Sequence, residues 1–83
     1  MKRRILQAKF ANDDYLWLTL CEYQGQYVIW MYNSQSKGYC GGTYCQTFWW
    51  GLKVFIDKVR NYPLLDMDQI EIVGKEMWCS LCE

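Results

Sequence analysis

Histidine is missing from this 83-residue chain. Its absence removes the commonest general base, the usual activator of a serine or cysteine nucleophile, and a frequent metal ligand. An excess of either charge is missing as well. Nine basic residues are balanced by nine acidic ones, so no accumulated positive charge draws the chain toward phosphate. Neutrality of this kind favours self-association over mutual repulsion. No apolar run approaches membrane-spanning length. After Lys2-Arg3-Arg4, the stretch from Ile5 to Phe10 is too short and too interrupted for a secretory signal core. The glycines Gly38, Gly41 and Gly42 lack the spacing and the following lysine-serine pair of a phosphate loop. Acidic pairs do occur, Asp13-Asp14 and Asp66 with Asp68, but in turns, where carboxylates serve local hydrogen bonding. The chain is therefore expected to be non-enzymatic, with no catalytic residue, no cofactor and no membrane partner.

Five cysteines are present, an odd number that fits poorly with a secreted disulfide framework and suggests a cytoplasmic protein with reduced thiols. Cys40 and Cys45 together with the Cys79-Ser80-Leu81-Cys82 motif have the arithmetic of a structural zinc site. The first pair spans a strand pattern, and neither pair has the glycine-containing knuckle of a zinc ribbon. The preferred reading is no metal, with Cys40 and Cys79 as small buried hydrophobes.

What the chain has in abundance is apolar and aromatic side chains: five Trp, seven Tyr and three Phe in a 52% hydrophobic sequence. So small a domain needs a rich core. Phe48, Leu52, Phe55, Val59 and Tyr62 recur in steps of four and three, the stripe of one amphipathic helix, with Trp49 and Ile56 widening it. Lys53, Asp57, Lys58 and Arg60 fall on the wet side, and Pro63 ends the helix. Trp50 lies opposite the stripe, where a tryptophan gains nothing from the core and needs a partner.

The remainder reads as β-structure. Arg4 to Ala11 alternates weakly, with Leu6, Ala8 and Phe10 on one side and Ile5, Gln7 and Lys9 on the other. Asn12-Asp13-Asp14 is a turn, and Tyr15 to Tyr23 then alternates cleanly with Leu16, Leu18 and Leu20 on one face. Gln24-Gly25 closes a two-residue hairpin, pairing Tyr23 with Gln26, Leu20 with Ile29, Leu18 with Met31, Thr19 with Trp30 and Trp17 with Tyr32. Tyr39 to Cys45 forms the next strand, where Gly41 is expected to make room for the Trp30 ring. Gln69 to Val73 and Glu76 to Cys79 form a C-terminal hairpin. The predicted fold is a single α+β domain over 1–83: an antiparallel meander of about four strands, the helix on its leucine face, and the hairpin extending the sheet.

The face opposite the leucines carries Tyr15, Trp17, Trp30, Tyr32 and Tyr39. Such rings are enriched at protein hot spots and also stack on single-stranded nucleic acid. Neutral charge puts a protein partner first, with a homodimer as an economical case. A fold-back of the C-terminal hairpin with Trp78 comes next, and single-stranded nucleic acid last. The binding residues expected are Tyr15, Trp17, Trp30, Tyr32, Tyr39 and Trp50. On an open face, truncating Trp17 or Trp30 would cost less stability than truncating Leu18.

The run Tyr27-Val28-Ile29-Trp30-Met31-Tyr32-Asn33, followed by Gly38-Tyr39 and Gly42-Thr43-Tyr44, resembles small proteins of phages and mobile elements over about half the chain. That resemblance implies a stoichiometric inhibitor of a host defence system, of the anti-CRISPR kind, acting by occupying a surface. It carries over no site residue. Because the chain is not acidic, such an inhibitor would work through aromatic shape rather than by mimicking nucleic acid.

Overall fold

Two positive φ angles, 52° at Gln24 and 75° at Gly25, close the central hairpin of the computed structural model. Both residues of a type I′ turn need φ above zero, and its twist matches that of the flanking strands. After β1 (Arg3–Lys9), the strands flanking this turn are β2 (Leu16–Tyr23) and β3 (Gln26–Asn33). They pair in the expected register, Tyr23 with Gln26 through Trp17 with Tyr32. After β4 (Gly38–Cys45) come α1 (Phe48–Asn61) and the short β5 (Ile70–Ile72). The structure describes residues 2–11, 13–61 and 70–74. Tyr62, Pro63, Trp78, Cys79, Cys82 and the predicted Glu76–Cys79 strand lie outside them.

The sheet runs β4-β3-β2-β1-β5, so the meander is followed by a fifth strand on its far side. All described pairings are antiparallel. This is the α+β meander with one helix on one face. Asp13 Oδ1 accepts the Tyr15 N–H at 2.8 Å, closing the turn between β1 and β2 as its Asn-Asp-Asp sequence predicts.

Helix α1 lies across β2, β3 and β4. Phe48, Phe55 and Val59 meet Leu6, Ala8, Phe10, Leu18, Leu20 and Ile29 in one core. Fully burying a side chain such as Phe55 contributes about 1.5–3 kcal/mol relative to leaving it in water. The helix buries Phe48, Phe55 and Val59 of the predicted stripe, while its dry face turns from Leu52 toward Gly51. Gly51 is buried at its centre and Leu52 is only half-buried. A Cβ on Gly51 would lie 3.0 Å from Tyr27 Cβ and 3.1 Å from Leu20 Cδ1, so this glycine sets how closely helix and sheet approach. That rotation swings Trp49 off the core, and it is 59% exposed rather than part of the dry stripe. Thr47 caps the helix: its Oγ1 accepts the Trp50 N–H at 3.2 Å and its carbonyl accepts the Gly51 N–H at 3.0 Å. Such a cap contributes about 1 kcal/mol.

Two bulges adjust the sheet. In β1 the register shifts between Arg4 and Leu6, and Ile5 is the extra residue. A bulge locally breaks the two-residue alternation, so Ile5 and Leu6 are both buried in the core rather than on opposite faces. In β4 the register shifts opposite Trp30, where Gly41 and Gly42 face one residue. Their roles differ from expectation. Gly41 takes φ 67° and has open space beyond its Cα, whereas a Cβ on Gly42 would meet Trp30 Nε1 at 2.5 Å. Gly41 makes the bend, and Gly42 admits the indole.

Candidate functional site

The second face of the sheet is not the open platform expected. Trp30 is 6% exposed, and it forms a small core with Cys21 and Val28, against which Tyr23 and Tyr39 pack. Its cross-strand partner Thr19 is buried too, with its hydroxyl donating to the Trp30 carbonyl at 2.9 Å. The Cys21 thiol in turn donates to Thr19 Oγ1 at 3.6 Å. Tyr23, Tyr39 and Tyr44 stand edge-on to the indole at 5.5, 5.4 and 6.0 Å between centroids. Edge-to-face rings at such spacings attract one another through their quadrupoles.

Cations complete this layer. The Lys2 ammonium lies over Tyr23, Trp30 and Tyr39 at 5.2, 5.4 and 5.1 Å from their centroids. The Arg4 guanidinium lies 4.8 Å from the centre of Tyr32, whose ring is 4.6 Å from that of Tyr39. Lys9 pairs with Asp14 at 3.3 Å. Lys2 and Arg4 of the basic N-terminal arm are therefore laid on the aromatic face. Tyr32, Tyr39 and Trp17 are half-buried, and Tyr15 at the margin is exposed. Of the six residues expected to bind, Trp30, Tyr32 and Tyr39 form one self-contacting cluster. Trp50 stands apart, on the helix.

Trp50 is 57% exposed, as its position opposite the stripe predicts. Around it the corner between β4 and α1 forms an open groove of about 410 Å³, lined by Tyr44, Cys45, Gln46, Thr47 and Trp50. Tyr44 is exposed as well, and Lys53 lies over the Trp50 ring at 5.6 Å. Along the groove runs β4, the outermost strand, to whose free side no described strand pairs. No charged residue occurs from Gly38 through Leu52. Tyr44, Trp49 and the free β4 edge were missed in the sequence. The uncharged run from Gly38 is the signal that points to them, because exposed edge strands usually carry a charge or a proline.

The thiols divide by burial. Cys21, Cys40 and Cys45 are free; Cys40 is exposed, correcting the expectation that it is buried, and the other two are buried. Burial pushes the Cys21 thiol up, against the opposing Thr19 hydrogen bond and the Arg4 and Lys2 charges. Burial likewise raises Cys45. It also raises the Tyr39 phenol, with a contribution from Cys21 and with Arg4 pulling the other way. Among the described residues no group of three or more Cys, Asp or Glu side chains is placed to hold a metal ion. Among them, too, no helix is long and apolar enough to cross a membrane. Comparison with known proteins finds no matching family, no matching curated protein and no matching solved structure.

Proposed function

We propose that this chain is a non-enzymatic protein-binding module that takes an extended, uncharged segment of its partner along β4 and seats one partner side chain in the Trp50 groove. The observation that carries this reading is the groove itself: Tyr44 and Trp50 stand exposed beside a sheet edge to which no described strand pairs. Strand addition draws affinity from main-chain hydrogen bonds and specificity from side-chain pockets. Exposed tryptophan and tyrosine are the residues most enriched at binding hot spots. The absence of charge from Gly38 through Leu52 favours an apolar segment over an acidic or basic one. A surface-occupying inhibitor of the kind the phage resemblance implies would use this same corner.

Single-stranded nucleic acid gains one point from the structure, since Lys2 and Arg4 lie on the aromatic face. Those cations cover the rings that a base would stack on, and the protein reading stays ahead. Selection of a displayed library of extended peptides against the wild-type chain tests it. The selected peptides should be apolar and should lose at least about tenfold in affinity on Trp50→Ala or Tyr44→Ala, the scale of a hot-spot truncation. Binding indifferent to both substitutions overturns the proposal. So does an empty selection accompanied by salt-sensitive binding of labelled oligonucleotides. Concentration-dependent sedimentation that Trp50→Ala abolishes would make a second copy the occupant.

A further inference from the structure

Lys2 has unusual company. Three rings surround its ammonium at 5.1–5.4 Å. Among the described residues no carboxylate lies within ion-pair distance of it. Trp30 forms one wall, with Tyr23 inclined to it at 66° and Tyr39 at 60°. Inclined faces converging on one point describe a cage, the arrangement by which proteins recognise quaternary ammonium groups. The cage is built into the fold rather than assembled by loose side chains. The indole is fixed by Gly42, which leaves it room, by the Gly41 bend, and by the buried Thr19, Cys21 and Val28 beneath it.

The geometry points to a binding site for quaternary ammonium, formed by Tyr23, Trp30 and Tyr39 and closed by the chain's own Lys2. A cage of ring faces with no carboxylate among the described residues suits a bulky, weakly hydrated cation better than a primary ammonium, whose hydration rings alone replace poorly. Lys2 precedes β1 and is itself exposed, so a ligand can displace its side chain without unfolding the sheet. Self-occupancy lowers apparent affinity by the fraction of time the cage is open. The site shares β4 with the proposed groove through Tyr39, but it uses ring faces and not strand addition.

The test uses the full chain with Lys2 intact and as Lys2→Ala and Lys2→Gln. In the intact chain, ring currents should move the Lys2 side-chain protons upfield in the NMR spectrum, and tetramethylammonium should reverse that shift as it enters. Removing the lysine should tighten tetramethylammonium binding by about tenfold, as expected when an internal competitor is withdrawn. Tyr39→Ala in the Lys2→Ala chain should abolish it. A trimethyl-lysine peptide and phosphocholine distinguish the two sources of the group; tighter binding of either supports the site and names the source. Failure of tetramethylammonium to bind either folded Lys2 variant overturns the inference. Equal binding of the neutral isostere 3,3-dimethylbutanol overturns it too, because the site would then be an apolar hollow and not a cation cage. Should both variants fail to fold, the intact chain decides: reversal of the Lys2 shift supports the site, and an unmoved shift overturns it.

Discussion

Trp30 is where the balance between core and surface is most sharply testable. The ring is 6% exposed and touches three tyrosines. A buried aromatic removes roughly 150–250 Å² from water, which at about 25 cal/mol per Å² corresponds to about 4–6 kcal/mol. Measured truncations of buried Phe or Trp cost about 3–5 kcal/mol. At 0.05–0.15 kcal/mol per residue, a chain of this length has a total stability of about 4–12 kcal/mol. Trp30→Ala should therefore remove about a quarter of the stability or more, on a par with Leu18→Ala at about 2–5 kcal/mol. Trp50→Ala, at 57% exposure, loses a screened cation–π contact and should cost under about 1 kcal/mol. Urea melts followed by circular dichroism read all three variants. With slopes of about 1–3 kcal/mol per molar, Trp30→Ala should lower the midpoint by roughly 2 M, while Trp50→Ala should barely move it. If Trp30→Ala melts with Trp50→Ala rather than with Leu18→Ala, the second face is not a core and the account of its packing fails.

Two further outcomes follow from the thiols and phenols. Brief alkylation of the native protein, mapped by peptide mass spectrometry, should label Cys40 well before Cys21 or Cys45, because reaction requires an accessible thiolate. Preferential labelling of Cys21 would refute the burial assigned to it. As pH rises, the unfolded chain gives up the Cys21 and Tyr39 protons before the folded chain does, since both folded groups lie above their ordinary values of 9.0 and 10.0. The contribution of these groups to stability should be fully present below about pH 9 and lost above it, and Cys21→Ala should flatten the onset of that decline. A stability that climbs through this window would contradict the assignment.

The central hairpin was legible in the sequence because two residues fix its register: once Gln24 and Gly25 turn, every later pair follows. The leucine face followed from strict alternation. What alternation cannot reveal is where it breaks, and Ile5 joins Leu6 in the core through a bulge that no residue type at that point announces. The helix stripe was legible at Phe48, Phe55 and Val59 but not at Gly51, because a glycine registers as a gap in a hydrophobic pattern even when it is the closest point of contact. Gly51, spaced three from Phe48 and four from Phe55, was the available clue. Thr47 just ahead of the apolar run was a cap signal that also went unread. The covering of Trp30 was out of reach, since it requires β4 and the arm before β1 to meet over the same ring.

The strand β5 joins residues distant along the chain. Its Glu71 accepts a hydrogen bond from Gln7, 64 residues away. The Ile5 carbonyl at the bulge accepts the Val73 and Gly74 N–H groups at 2.8 and 3.2 Å. The β1–β4 meander, by contrast, is assembled from neighbours in sequence and needs no long loop closed beforehand. Folding therefore has a natural order, with the meander and helix forming first and β5 closing last on the edge they present. The same order run backwards governs native-state opening. The Val73 amide should exchange with solvent through detachment of β5 alone, while amides in the heart of β2 and β3 wait for global unfolding. The described residues would thus hold two cooperative units, joined where the Ile5 carbonyl receives the Val73 and Gly74 N–H groups.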